Sequence, residues 1–266
     1  MTPDLPFQDI PSFRPLILIP SYNSGTRLRG TVEGALRAGV PVWVVVDGST
    51  DGSDRTLDDL PDNAPDNVLR VIRLEGNGGK GAAILAGTRL ALEAGFTHAL
   101  SLDSDGQHPT DKIPHFLDTA RRHPADLIMG DPVFGPDVPR ARLKGRRLTI
   151  WWTDLETLWC GLGDTLFGMR VYPLEPLRRA FAQTPFARGF DFDPEIAVRM
   201  TWAGCRPRQV PAPVRYFRKD EGGVSHFNYL RDNIKLTLLH FRLVPEFLLL
   251  RIWKMRQNKS QWNVSA

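Results

Sequence analysis

The run Val42-Trp43-Val44-Val45-Val46 leads directly into the polar sequence Asp47-Gly48-Ser49-Thr50-Asp51-Gly52. Five consecutive apolar residues bounded by turn residues indicate a short strand that is buried on both faces. Such strands are typical of parallel sheets that are covered by helices on either side. This stretch therefore predicts an α/β fold in which a strand delivers Asp47 to the edge of a sheet.

Similar apolar runs recur along the chain, with helical patterns between them. We predict strands at 16–19, 68–74 and 97–102, and helices at 26–37 and 81–94. The second half is less regular, with predicted helices at 140–160 and 192–203 and predicted strands at 164–172 and 205–216. Strands that alternate with helices imply a mostly parallel sheet with helices on both faces. Ligands of such sheets bind where the carboxyl ends of the strands meet the loops.

The composition is that of an ordinary globular protein. The 266 residues are 42% hydrophobic and 24% charged, enough for one large domain or two small ones with a sizeable core. The net charge of +4 favours phosphorylated ligands or an anionic membrane surface and is no nucleic-acid signature. Cys160 and Cys205 have no metal-ligand spacing and indicate a reducing compartment. Because we find no signal-peptide pattern and no membrane-spanning stretch, we expect a cytoplasmic protein.

A second polar loop, Asp103-Ser104-Asp105-Gly106-Gln107-His108-Pro109, follows the strand predicted at 97–102. Two carboxylates one residue apart at the end of a strand face the same way and can share a divalent cation, and Gln107 adds a neutral oxygen. Hard oxygen ligands suit Mg²⁺ or Mn²⁺, which commonly bind substrate phosphates. An ordinary strand-to-helix turn is the alternative, because Asp, Ser, Gly and Pro are also turn residues.

The glycine-rich loop at 76–81 and the carboxylate of Asp47 each allow two interpretations. Lys80 is followed by Gly81, and the glycine spacing fits neither a phosphate-binding loop nor a dinucleotide fingerprint. The loop is therefore either a helix N-terminus that faces an anion or a glycine turn packed closely on the sheet. Asp47 either accepts hydrogen bonds from a base or ribose or caps the next helix.

Four ordered motifs carry a resemblance to a known family. They are Ile19-Pro20-Ser21-Tyr22-Asn23, the sequence from Val46 to Gly52, Asn77-Gly78-Gly79-Lys80-Gly81 and the acidic loop at 103–109. In this order they resemble glycosyltransferase family 2, the inverting enzymes of the GT-A fold, and more narrowly its dolichyl-phosphate mannosyltransferase branch. Asp164-Thr165-Leu166-Phe167-Gly168-Met169-Arg170 resembles a later segment of that branch, so the match runs from about residue 16 to residue 227.

The resemblance implies a fold and a set of site residues. The fold is the Rossmann-like sheet of nucleotide-diphospho-sugar transferases. We expect a GT-A domain at 15–227, between an irregular lead-in at 1–14 and an amphipathic helical tail at 228–266. The residues that should contact the sugar nucleotide are Pro20, Tyr22, Asn23, Asp47, Lys80, Asp103 and Ser104. The residues that should hold Mg²⁺ or Mn²⁺ are Asp103, Asp105 and Gln107, and Asp105 is the first catalytic candidate.

The segment Gly189-Phe190-Asp191-Phe192-Asp193-Pro194-Glu195-Ile196 bears on the acceptor. Asp193 or Glu195 is a candidate general base for a hydroxyl acceptor. The alternative is a helix start capped by Asp193, with Pro194 at the first helical position and Glu195 favoured by the helix dipole. A phosphate acceptor is already ionised near neutral pH and needs no base.

A second acceptor segment, from Arg215 to Phe227, resembles the mobile loop that closes over phosphate groups in this family. Arg218 and Lys219 are candidates for holding phosphate oxygens, and Arg218 is assigned a catalytic role. His226 is either a further metal ligand or an ordinary hydrogen-bonded histidine.

The tail mixes leucines and aromatic residues with arginines and lysines, and Pro245 is expected to divide it into two helices. A basic amphipathic helix that carries Trp253 can lie on an anionic bilayer at the inner face of the cell membrane, which suits a lipid acceptor. Packing of the tail on the domain or on a second subunit is the alternative.

These features predict a metal-dependent inverting glycosyltransferase that moves a sugar from a UDP- or GDP-sugar to a polyprenyl phosphate or a lipid hydroxyl, with no nucleic-acid partner. The enzymatic alternative is a transferase that acts on a soluble saccharide or other hydroxyl, with Asp193 or Glu195 as base. A sugar-nucleotide nucleotidyltransferase is a more distant alternative. A non-catalytic sugar-nucleotide-binding module is the alternative from another class.

Overall fold

The structure is a computed structural model that describes residues 13–60, 69–135, 140–184, 188–189, 191–215 and 229–262. Side chains are described for these residues except at 140–142, 144, 229–233 and 251–262. The strands are β1 (Pro15–Ser21), β2 (Val42–Asp47), β3 (Leu69–Leu74), β4 (His98–Ser101), β5 (Leu127–Phe134), β6 (Arg170–Pro173) and β7 (Pro207–Val214). The helices are α1 (Arg27–Leu36), α2 (Lys80–Glu93), α3 (Ile113–Arg122), α4 (Arg140–Thr157), α5 (Leu174–Phe181), α6 (Phe192–Trp202) and α7 (Tyr229–Trp262).

The strands form a seven-stranded sheet in the order β3-β2-β1-β4-β6-β5-β7. The pairs β1–β2, β2–β3, β1–β4 and β5–β7 are parallel, and β6 runs antiparallel to both of its neighbours. The prediction of a mostly parallel sheet is therefore confirmed. The one reversed strand brings the residues before Arg170 back to the edge where β4 ends.

Successive residues of the central strands enter two different cores. In β1, Leu16 and Leu18 pack into one buried cluster and Ile17 and Ile19 into the other. All six residues of β2 are buried, as the continuous apolar run predicts. The sheet is thus covered on both faces, which explains why these strands lack the alternation of half-exposed ones.

The second half of the chain contains the main corrections. The strand predicted at 164–172 is wrong over most of its length, because β6 begins only at Arg170. The preceding backbone is bound by side chains instead of a strand ladder: the Asp164 carboxylate accepts from Leu166 N, and the Arg170 guanidinium donates to Thr165 O and Phe167 O. The strand β5 and the helices α3 and α5 were not predicted.

The prediction that Pro245 divides the tail is also wrong, since α7 is one helix with Pro245 inside it. Proline removes one backbone hydrogen bond, so other contacts must hold the helix on both sides of it. Before the proline, His240 Nδ1 lies 2.8 Å from Glu156 Oε1 of α4. After it, Glu246 receives two hydrogen bonds from Arg199 of α6.

The first half of α7 packs on the domain, where Leu236, Leu239 and Leu243 are buried. Within the described parts of the chain, we find no helix that is long and apolar enough to cross a membrane. The predicted domain boundaries remain predictions.

Candidate active site

The loops after β1 and β2 are joined by hydrogen bonds at the carboxyl edge of the sheet. Asn23 N donates to Ser49 Oγ at 3.0 Å, and Thr50 N donates to Asn23 Oδ1 at 2.8 Å. Asn23 has a positive φ of 47°, a conformation that Asn tolerates better than most residues. Pro20 is buried beside it at the end of β1, and Tyr22 is half-buried. Three predicted donor-site residues thus lie together at the carboxyl end of β1.

The glycine-rich loop is fastened to the end of β2 by Asp47. The Asp47 carboxylate, which is buried, accepts hydrogen bonds from Gly78 N at 2.9 Å and from Gly79 N at 2.7 Å. Gly48 has a φ of 64°, and a Cβ there would lie 2.6 Å from the backbone of Gly76 and Asn77. The close packing therefore favours the glycine-turn interpretation of this loop. The predicted contact of Asp47 with a base or ribose stays a prediction.

The acidic loop after β4 turns its middle residue inward. Ser104 is buried, with its Oγ 2.6 Å from Ser24 Oγ, whereas Asp103 and Asp105 on either side are partly exposed. Asp105 Oδ1 accepts from Gln107 N at 3.0 Å. Burial and the nearby charge of Asp103 raise the pKa of Asp105 to about 6. The two carboxylates are therefore close enough to repel each other.

Lys80, the first residue of α2, lies between two carboxylates. Its Nζ is 2.7 Å from Asp103 Oδ1 and 2.7 Å from Asp193 Oδ2 in the first turn of α6. Burial alone lowers the pKa of Lys80, but the two carboxylates outweigh it and raise the pKa above its usual range. Burial likewise disfavours the charged form of Asp103, but the charge and hydrogen bond of Lys80, together with the charge of Arg170, outweigh it and lower the pKa of that carboxyl.

His108 supports Asp103 from the other side. Asp103 N donates to His108 Nδ1 at 3.0 Å, and His108 Nε2 lies 3.5 Å from Asp103 Oδ2. Burial lowers the pKa of His108 to about 4, so the imidazole is neutral at neutral pH. A neutral ring with Nδ1 as acceptor carries its proton on Nε2, the atom that faces the carboxylate.

Arg170 is fully buried below Asp193. Its guanidinium donates to Asp193 O at 2.9 Å and lies 3.7 Å from Asp193 Oδ1. Gly168, two residues earlier, leaves room for the central ion pair, because a Cβ there would be 2.6 Å from Lys80 Nζ and 2.6 Å from Asp103 Oδ2. The segment at 164–170 therefore forms one wall of the site.

The donor set suits a divalent ion that is shared with a substrate. Among the described residues, no group of three or more His, Cys, Asp or Glu side chains is placed to hold a metal ion. Mg²⁺ usually binds through one or two carboxylates together with waters and substrate phosphates, so Asp103 and Asp105 suffice for that role. A cation beside Asp105 would also relieve the repulsion that raises its pKa.

The predicted acceptor residues separate into two places. Asp193 lies in the site, bound to Lys80. Glu195 is completely buried, with Oε1 2.8 Å from Arg199 Nε and Oε2 bonded to Arg242. Capping by Asp193 is wrong, because α6 begins at Phe192 and its N-cap residue is Asp191. Predicted site residues Arg218 and His226 lie outside the described residues.

The family model described as "Glycosyl transferase family 2" matches residues 16–179, more than half of the chain. The chain belongs to glycosyltransferase family 2. This membership and the relatives below support an enzyme over the non-catalytic binding module.

Two relatives of this glycosyltransferase carry names from the predicted branch. The chain is 30% identical over 213 residues to an undecaprenyl-phosphate mannosyltransferase of Micrococcus luteus, covering 74% of this chain and 82% of the relative. It is 30% identical over 225 residues to a polyprenol monophosphomannose synthase of Mycolicibacterium smegmatis, covering 81% of each. The resemblance to the dolichyl-phosphate mannosyltransferase branch is thereby confirmed.

Solved structures confirm the GT-A fold. Glucosyl-3-phosphoglycerate synthase from Mycobacterium tuberculosis, in complex with Mn²⁺, UDP-glucose and phosphoglyceric acid, superposes with a TM-score of 0.61 at 16% identity. That match covers 90% of this chain and 80% of the other. S. aureus TarS 1-349 superposes with a TM-score of 0.52 at 18% identity, and the chain spans 58% of that fragment.

Sequence reasoning missed two residues of the site. The role of His108 was hidden because its contacts with Asp103 depend on how the turn folds back. Arg170 stands in the segment at 164–170 that resembles the family, but that resemblance predicts no role for it. An arginine inside an otherwise apolar run such as Met169-Arg170-Val171 is a signal, because a charged residue there needs a buried partner.

Proposed function

We propose that this glycosyltransferase transfers a hexosyl group from a UDP- or GDP-sugar to a polyprenyl phosphate, with inversion at the anomeric carbon and with a divalent metal. The names of the two relatives support a polyprenyl-phosphate acceptor and mannose as the first sugar to test. The Mn²⁺ complex with a UDP-sugar supports the metal only by analogy of fold.

The observation that supports a phosphate acceptor is the ion pairing of the two carboxylates on α6. Asp193 is paired with Lys80 and Arg170, and Glu195 is paired with Arg199 and Arg242. A general base must be free to reach the proton that it abstracts, so neither carboxylate is suited to activate a hydroxyl. An acceptor phosphate needs no such base.

In the proposed reaction, a phosphate oxygen of the lipid attacks the anomeric carbon while the bond to the nucleoside diphosphate breaks. Asp103 and Asp105 would hold Mg²⁺ or Mn²⁺, with Gln107 as a further ligand, and the ion would supply positive charge for the leaving diphosphate. Lys80 and His108 keep Asp103 ionised and oriented. Pro20, Tyr22, Asn23 and Asp47 are proposed to border the nucleoside.

We further propose that α4 and α7 contact the membrane at its inner, cytoplasmic face. Leu148 and Trp151 of α4 and Leu238 and Phe241 of α7 are 49–66% exposed; we call them the α4–α7 apolar surface. The ring of Trp152 lies 4.9 Å from that of Trp151 and 6.4 Å from that of Phe241, which joins the two halves of this surface. Exposed Trp and Phe side chains are typical of interfacial helices.

The test is a transfer assay with purified protein. GDP-mannose, GDP-glucose, UDP-glucose and UDP-N-acetylglucosamine are each offered with undecaprenyl phosphate or with undecaprenol, with Mg²⁺ or Mn²⁺. We expect a product only when undecaprenyl phosphate is the acceptor, and we expect it to be a glycosyl monophosphate lipid. NMR should show that its anomeric configuration is opposite to that of the donor. Transfer to undecaprenol instead would contradict the phosphate acceptor. Absence of transfer and of donor hydrolysis in the whole panel would contradict the donor class.

A further inference from the structure

The first turn of α6 is held from two sides by buried ion pairs. Asp193 and Glu195 are two residues apart, which on an α-helix corresponds to about 200° around the axis. Their carboxylates therefore point away from each other. Asp193 faces Lys80 and the acidic loop, and Glu195 faces α7.

On the α7 side, three charged residues bind Glu195 or one another. Glu195 Oε1 is 2.8 Å from Arg199 Nε, and Glu195 Oε2 is bonded to Arg242. Arg199, which is 3% exposed, donates to both carboxylate oxygens of Glu246 at 2.7 Å and 2.9 Å. This two-bond geometry fixes the orientation of the guanidinium as well as its position.

On the site side, Lys80 links Asp193 to Asp103 with two contacts of 2.7 Å. The first turn of α6 thus connects two sets of ionic contacts. One set runs from Glu246 in α7 through Arg199 to Glu195, and the other runs from Asp193 through Lys80 to Asp103 in the acidic loop. Arg170 adds a further contact to this turn, because its guanidinium donates to Asp193 O.

The position of a helix's first turn depends on such side chains. The first four N–H groups of a helix have no partner within it, so its first turn frays unless other groups hold it. The cap residue Asp191 makes no side-chain hydrogen bond to the helix. Among the described residues, the directional contacts that set where Asp193 lies are therefore the ion pairs of Asp193 and Glu195 and the hydrogen bond from Arg170 to Asp193 O.

We propose that Glu195 and Arg199 are positioning residues, which act through the first turn of α6 to hold Asp193 against Lys80 and thereby Lys80 against Asp103. Helix α7 is then a supporting part of the active site as well as a surface helix. This proposal deepens the proposed function by assigning α7 and the buried carboxylate Glu195 a part in it, and it rests on that function only for its kinetic test.

The direct test measures how readily the Lys80 amine reacts in the full-length protein. An amine reagent reaches Nζ only when the amine leaves its two carboxylates. The labelled fraction of Lys80 is read by mass spectrometry relative to exposed Lys112. We expect Glu195→Gln to raise the relative labelling of Lys80 about fivefold, the factor that corresponds to a coupling free energy of about 1 kcal/mol. Asp193→Asn, which removes one partner directly, is the positive control.

The matched control is Val198→Ala, which removes buried apolar volume from α6 and leaves every ion pair in place. The two variants are compared at temperatures equally far below their Tm. Equal labelling of Lys80 in Glu195→Gln and Val198→Ala overturns the proposal, since it would indicate general loosening of α6. If Glu195→Gln does not fold, Glu246→Gln takes its place, because Glu246 is partly exposed and binds Arg199. Its labelling of Lys80 is then compared with that of Val198→Ala in the same way.

A kinetic measurement adds a second criterion. We expect Glu195→Gln to lower kcat of folded protein several-fold more than Val198→Ala does. Labelling requires neither donor nor acceptor, so a protein that transfers no sugar still tests the positioning role. Conversely, suppose that Lys80 is labelled in Glu195→Gln no more than in the wild type, and that the wild type transfers sugar. This result contradicts the positioning proposal and leaves the proposed function intact.

Discussion

Asp103 and Asp193 bind the same ammonium group, with Lys80 Nζ 2.7 Å from an oxygen of each. The two carboxylates belong to distant parts of the chain, the loop after β4 and the start of α6. One half-buried lysine therefore joins the donor half of the site to the later half. A buried ion pair adds little net stability but is costly to break on one side only.

Lys80→Met should therefore destabilise the protein, by up to about 3–5 kcal/mol, because it leaves the partly exposed Asp103 without its cation and leaves Asp193 to Arg170, 3.7 Å away. The double variant Lys80→Met/Asp193→Asn removes one of these charges together with the lysine. We expect it to recover part of the lost stability. Urea unfolding of the wild type, both single variants and the double variant gives the coupling energy of the pair.

Strict additivity in this cycle would contradict the ionic role of Lys80. Arg178→Met, which breaks an exposed pair with Glu175, is the matched control. Solvent screens an exposed pair, so this variant should leave the free energy of unfolding almost unchanged.

Asp105→Asn should abolish transfer while making the metal-free protein more stable at high pH. Burial and Asp103 raise the pKa of Asp105 to about 6, above the ordinary value of 3.8. The folded state therefore disfavours the charged form, and this penalty develops as the pH rises from about 4 to about 6 and stays constant above that. We expect a gain of about 1–3 kcal/mol at pH 8 that disappears below pH 4, measured by urea unfolding. A constant effect across this range would contradict the raised pKa.

Divalent metal should stabilise the wild type in a pH-dependent way. Metal binding must displace the proton of Asp105, so the apparent affinity should weaken as the pH falls through about 6. A 100-fold excess of Mg²⁺ or Mn²⁺ over its Kd corresponds to about 2.7 kcal/mol of stabilisation. Asp105→Asn should lose this response, and chelation should remove transfer from the wild type. An equal shift in Tm for both proteins would place the metal elsewhere.

The first half of the fold was predictable because β1, β2 and β4 are buried on both faces. The apolar runs of β1 and β2 indicate buried strands directly. Because the two strands are parallel, the loops that follow them meet at the carboxyl edge of the sheet. The strand β5 was not predicted, since Leu127–Phe134 contains Gly130, Asp131 and Pro132. Its pairing with β7 is decided by tertiary contacts that local propensity does not encode.

Within the site, the chemistry of the residues was predictable and their pairing was not. Asp103, Asp105 and Lys80 follow from motif and position. Asp193 and Glu195 looked equivalent as acids near a helix start, but their ionic partners come from α2, β6 and α7. No single-sequence pattern shows which arginine meets which carboxylate.

Gly168→Ala should lower transfer about 10- to 100-fold with little loss of stability. The added Cβ would lie 2.6 Å from Lys80 Nζ and from Asp103 Oδ2, which are flexible side-chain ends that can move apart. Such a displacement spoils the geometry of the site rather than the core. Gly30→Ala is the control, because its Cβ meets no atom within 4 Å and should stabilise α1 by about 0.4–1 kcal/mol. An unchanged kcat in folded Gly168→Ala would show that transfer does not depend on the close contact between Lys80 and Asp103.

The membrane contact is tested at Leu238 and Phe241, which are 63% and 66% exposed on α7. Replacing both residues by Asp removes apolar area that would be buried in the bilayer and adds negative charges that an anionic bilayer repels. The fraction of protein that floats with phosphatidylglycerol vesicles should therefore fall at least tenfold. Val133→Asp, at an exposed valine on β5, should float like the wild type. Transfer to a short, water-soluble polyprenyl phosphate should be retained in the double variant, because α7 keeps its anchors at His240 and Glu246. Equal flotation of all three proteins would assign the α4–α7 apolar surface to a partner other than lipid.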